Sequence, residues 1–240
     1  MASSTETGHA KNIANLKKLN EINAGFGADY NPSNALYKLA NMQTQHTDCD
    51  ALQGDVNTEN GTYEPIEDAR QDEFKTVKPL VRKVRSAAKT CGAKKNWVAD
   101  VNTAVTKLLG ERAEKATPTA KDVAGTSASQ QSFDNTVNNF DKLVKLLASQ
   151  PLYAPNEIAL KVTTLQAKKT ALNSVNNAAK SGITPLNKAI IKRNKALYTP
   201  VTGLVDVGQG SKDYVRSVFG FSSPEFKLVS KIKFTKLAKV

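Results

Sequence analysis

The chain has 240 residues, of which 40% are hydrophobic and 23% charged, and it carries a net charge of +12. That is enough apolar material for a substantial core, and it sets the chain apart from disordered sequences. No stretch nears eighteen apolar residues and the opening "MASSTETGHAKNIANL" has neither a basic start nor an apolar run, so we expect no transmembrane segment, no signal peptide and a cytoplasmic location.

The expected fold is all-α, an elongated helical bundle: one Trp, six Tyr and eight Phe suit helices packed by aliphatic stripes better than sheets. In chain order, "AKNIANLKKLNEI" predicts a first helix with Ile13, Leu16 and Leu19 on one face. Gly25 and Gly27 in "NAGFGADY" lack the third glycine and strand context of a phosphate loop and are read as that helix's terminator. After Tyr30, Asn31 is the expected N-cap and Pro32 the first residue of a long helix marked by Leu36, Leu39, Met42, His46, Cys49, Leu52 and Val56. The stripe resumes past Gly61 and Pro65 at Ile66, Phe74 and Val77, which favours one continuous, bent helix over a hairpin. Beyond Pro79, "LVRKVRSAAKT" and "NWVADVNTAVTKLLG" predict two shorter helices separated by Gly92. Residues 111–130 are small, polar and without period, which reads as a linker.

The remaining chain repeats this order. "SFDNTVNNFDKLVKLLA" is followed by Tyr153-Ala154-Pro155, then by a stripe of Ile158, Val162, Leu165, Leu172, Val175 and Ala179 that continues at Leu186, Ile190 and Leu197. "SKDYVRSVFG" and "SPEFKLVSKIK" come last, with Ser223 capping and Pro224 opening the final helix. Pro32 matches Pro155, Gly61 Gly182, Pro65 Pro185, Pro79 Pro200, Gly92 Gly210 and Trp97 Tyr214, at offsets falling from 123 to 117. We read two copies of one helical unit, 1–110 and 131–240, that pack as one domain, with a few loop insertions accounting for the drift. "GHAKNIANL", "SQQSFDNTVNNFDKL", "YAPNEIALKV", "RNKALYTPVTGLVDV" and "YVRSVFGFSSPEFKLVSKIKFTK" resemble a family of uncharacterised helical proteins of Bacteroidota of about this length. The resemblance implies a bacterial, cytoplasmic protein and supplies no activity, ligand or catalytic residue.

Charge is lopsided. The first 120 residues hold 16 Lys/Arg against 15 Asp/Glu, the last 120 hold 18 against 7. Lys168, Lys169, Lys188, Lys192, Arg193, Lys195, Lys227 and Lys231 are the candidate polyanion-binding residues, with Lys188, Lys192 and Lys195 on one helical face. Few arginines and no interleaved aromatics restrict such binding to the non-specific kind, to nucleic acid or an anionic membrane surface.

No catalytic, cofactor or metal site is expected. His46 and Cys49 share a helical face but two ligands do not close a zinc site, and both lie on the apolar stripe. Glu67, Asp68, Asp72 and Glu73 read as solvated helix-surface charges, and His9 as an isolated residue in a frayed N-terminus. Cys49 and Cys91 read as reduced thiols, too few for a disulfide framework. The expected role is a non-enzymatic structural or protein-interaction module that binds a protein partner or itself. Polyanion binding by the basic half is the alternative, and helical pore formation a minor one.

Overall fold

A computed structural model describes residues 8–111 and 131–236 of the chain, so nearly all of the expected linker lies outside the described residues. The fold is all-helical, with no strand among the described residues. The helices are α1 (His9–Gly25), α2 (Leu39–Lys75), α3 (Val77–Thr90), α4 (Lys95–Leu109), α5 (Phe133–Ala148), α6 (Val162–Tyr198), α7 (Leu204–Phe219) and α8 (Pro224–Ser230).

α2 and α6 each run unbroken for 37 residues, through Pro65 and Pro185 respectively. At 1.5 Å per residue each is about 55 Å long. α2 does not start where Asn31 and Pro32 suggested. A short 3-10 turn comes first, Ala35–Tyr37 before α2 and Ile158–Leu160 before α6. Asn34, not Asn31, is the capping residue: its side chain accepts from the Leu36 N–H, and the α-helix begins only at Leu39. The two corners are alike in detail. Tyr30 donates its hydroxyl to the Tyr37 carbonyl at 2.7 Å, and Tyr153 donates to the Leu160 carbonyl at 3.1 Å, seven residues on in both cases. A buried phenol thus pairs a backbone carbonyl that the tight turn leaves without a helical partner.

Not all the matched punctuation is equivalent. α2 and α6 begin and end at a constant offset of 123, leaving no loop between Gly61 and Pro65 or between Gly182 and Pro185 in which insertions could shift the register. Pro79 lies inside α3, whereas Pro200 lies in the turn between α6 and α7. Gly210 is inside α7 and so does not match Gly92, which stands at the turn after α3 (φ 81°); the glycine at the turn after α7 is Gly220 (φ 92°), where a positive φ favours glycine.

The chain forms two compact units that do not coincide with its two sequence halves: residues 1–62 with 183–240, and residues 63–182. The first unit takes α1 and the start of α2 from one half and the end of α6, α7 and α8 from the other. Its core joins Ile13, Leu16, Leu19, Met42 and Cys49 to Leu197, Leu204, Val215 and Val229. The second unit takes α5 and the start of α6 together with the end of α2, α3 and α4, with Val77, Val81, Val84, Val101 and Val105 packed against Phe140, Leu143, Leu147, Leu165 and Leu172. Most predicted stripes are buried as expected. Ile158 is the exception: it faces solvent because the 3-10 turn puts it out of phase with the helix that follows.

Candidate functional site

The eight candidate basic residues are divided by their surroundings. In the second unit Lys168 Nζ sits 2.7 Å from a Glu73 carboxylate oxygen and also donates to the Glu73 carbonyl, while Lys169 lies 3.4 Å from Asp141. In the first unit Lys188, Lys192 and Lys195 are exposed along α6 and have no carboxylate partner among the described residues. Lys227 and Lys231 are likewise exposed, on α8 and at its C-cap. Arg193 is different. It is buried, its guanidinium spans Asn194 Oδ1 at 2.9 Å and Gln53 Oε1 at 3.4 Å, and burial holds its pKa below the usual arginine range. The helical spacing of Arg193 does not place it with the surface lysines, because it falls on the side of α6 that meets α2.

His46 is half-buried and Cys49 buried on α2. Burial first, then the charge of Asp48, pushes the Cys49 thiol up to about 11, so it stays a neutral core group. Among the described residues no three His, Cys, Asp or Glu side chains converge as metal ligands. His9 is not frayed: it opens α1, and its Nδ1 lies 2.9 Å from the Tyr198 hydroxyl. Of the acidic pairs, Glu67 is held by Arg70 and Tyr63, Asp72 by Lys75, and Glu73 by Lys168.

Two arrangements escaped the sequence reading. The first is a buried polar chain in the first unit. Tyr30 commits its proton to the Tyr37 carbonyl, so the 2.9 Å contact with Ser211 Oγ requires the serine to donate, and Asn23 Nδ2 in turn donates to Ser211 at 2.9 Å. These four residues tie α1, the corner and α7 together. Gly210 makes room for the Tyr37 ring, and Tyr214 meets Tyr30 edge-on at 5.3 Å. The second is an open groove of about 690 Å³ in the second unit, between α3 and the Tyr153 corner. Arg82 and Lys83 form one wall and Asn156 and Glu157 the other. The α3 residues buried here are all apolar (Val77, Val81, Val84, Ala88), and among the described residues Tyr153 makes no hydroxyl hydrogen bond to a serine such as Tyr30 has. Its hydroxyl is spent on the Leu160 carbonyl, and Cys91 Sγ donates to the Ala88 carbonyl. The Ser86 and Thr90 hydroxyls of the same groove donate to backbone carbonyls of α3.

The segment 232–236 after α8 is also built in. Asn12 and Asn15 of α1 and Lys212 of α7 bond its backbone, and Phe234 rests on Gly208. No known family profile, curated protein or solved structure matches the chain. Among the described residues no helix is long and apolar enough to cross a membrane.

Proposed function

We propose that the protein is a non-enzymatic interaction module that associates with itself through the turn between α7 and α8. The observation that carries this reading is the exposed apolar side chains around that turn: Phe221 is 73% exposed with its ring 5.6 Å from that of Phe226, and Val218, near the end of α7, and Leu228, on α8, are 47% and 51% exposed. Large apolar side chains gathered on a surface mark contact sites more often than isolated ones do. The like corners at Tyr30 and Tyr153 and the equal lengths of α2 and α6 support an origin by duplication of one helical unit. On that view each compact unit combines the beginning of one copy with the end of the other, and the turn at Phe221 is a later specialisation of the second copy. Sedimentation equilibrium at high micromolar concentration tests the reading: the wild type should associate and the Phe221→Ser, Leu228→Ser variant should stay monomeric. A wild type that stays monomeric throughout would refute it.

A second reading rests on Lys188, Lys192 and Lys195, exposed at spacings of four and three on α6 and unpaired by carboxylates among the described residues. Such a row of unpaired ammonium groups on one helical face can neutralise phosphates of a nucleic acid or an anionic lipid surface. Each phosphate neutralised should contribute about −0.9 to the slope of log K against log salt on duplex DNA. Replacing all three lysines by glutamine should flatten that slope, and no gel shift at low salt would end this reading.

A further inference from the structure

Residues 232–236 are held by contacts aimed at their backbone. Asn12 grips Thr235 at both ends of its amide, donating to the carbonyl at 2.8 Å and accepting the N–H at 3.0 Å. Asn15 donates to the Lys233 carbonyl and Lys212 to the Ile232 carbonyl, each at 2.7 Å. Lys212 is only 8% exposed, and the structure spends this buried ammonium on a backbone carbonyl. Side chains read the rest. Ile232 is buried, Lys236 pairs with Asp206 at 2.7 Å, and Phe234 lies against Gly208, where a Cβ would come within 2.5 Å of the ring.

A helix satisfies its own backbone, and α4, which follows α3 in the second unit, is a full helix of 15 residues. The segment after α8 has no such self-sufficiency and takes its partners from α1 and α7. Backbone bonds that set register, with one aromatic anchor in a made-to-fit seat, are how peptide grooves recognise their ligands. We propose that the groove between α1 and α7 is a peptide-binding site for sequences of the type Ile-Lys-Phe-Thr-Lys, filled in cis by residues 232–236 and able to take the same segment from a second copy of the chain. The asparagines fix the register of the peptide, Gly208 selects the aromatic, and Asp206 selects the base two residues after it. This groove is separate from the apolar turn at Phe221, and binding in it is measured whatever that turn does.

The test uses the full chain carrying Phe234→Ala and a fluorescein-labelled peptide of residues 230–236, followed by anisotropy. The variant should bind the peptide at least about tenfold more tightly than wild type, because in wild type the tethered segment competes at an effective concentration on the order of millimolar. A peptide with alanine in place of its phenylalanine should lose that gain, and Gly208→Ala in the chain should abolish binding of both. In wild type, the amides of 232–236 should exchange with solvent faster than those of α7. The proposal is overturned by a variant with unchanged helical circular dichroism that gains no peptide, by equal binding of the two peptides, or by amides of 232–236 that exchange no faster than α7. A Phe234→Ala chain that loses its helical signal also overturns it, since the ring would then be core and not ligand.

Discussion

Tyr30 and Tyr153 hold the same corner but not with the same strength. Both phenols pair a carbonyl, while Tyr30 also accepts from Ser211, which is held by Asn23. Tyr153→Phe should therefore cost about 1–2 kcal/mol, the loss of one buried bond and an unpaired carbonyl, and Tyr30→Phe should cost more because it strands the serine as well. Urea melts of the two variants check the order. Val201 is the one non-glycine residue with a positive φ among the described residues, at 69°, and it is exposed. A β-branched side chain is disfavoured there, and the turn holds it by the Val201 N–H donating to Asp206 and by Gly203 donating to the Thr199 carbonyl. Val201→Asn should raise stability by about 1 kcal/mol, since asparagine tolerates this conformation and little burial is lost. A lower melting temperature for that variant would count against the strain.

At the scale of elements, Gly61 and Gly182 looked interchangeable in the sequence and are not. A Cβ at Gly61 meets nothing within 4 Å, while one at Gly182 would come within 3.1 Å of Ile66 Cδ1. Gly61→Ala should stabilise α2 by about 0.8–1 kcal/mol, the ordinary helix-propensity gain at an open site. Gly182→Ala should gain less or reverse sign, because Ile66 must give way. Comparing the two melting temperatures decides this. Continuity of α2 was legible because its stripe resumed after Pro65. The start of α2 was not legible, because a 3-10 turn leaves no period of its own and several polar residues before Leu39 can cap. α7 was cut short at Gly210 for a similar reason: glycine reads as a break, whereas here it lets an aromatic ring approach the helix.

For the molecule as a whole, buried groups make stability depend on alkaline pH. Burial pushes Cys49 up to about 11 and Tyr153 up to about 12. Both hold their protons in the folded state after the unfolded chain has released them, so the unfolded state binds fewer protons and stability falls with rising pH. The contribution is intact below about pH 8.5, where unfolded thiols begin to ionise, and it drains away through the pH range of these two groups. Chemical denaturation across that range should show the fall. Cys49→Ala should flatten its lower part and Tyr153→Phe its upper part, and a stability independent of alkaline pH would show that neither group is closed to solvent.

What the sequence by itself determined is local and periodic. Ile13, Leu16 and Leu19, or Phe140, Val144 and Leu147, announce a buried face because helical spacing depends only on neighbours three and four residues away. The corner at Tyr30 and Tyr153 was visible for the same reason. The tertiary structure alone decided which face meets which. It assigned α1 to α7 and α4 to α5, divided α2 and α6 between the two compact units, and turned Arg193 inward while leaving Lys188, Lys192 and Lys195 outside. It also brought Asn12 to Thr235 across 223 residues of chain. Apolar stripes are mutually compatible surfaces with no address written on them, so pairing is settled by shape, by glycines that admit a ring, and by buried polar groups that need one particular partner.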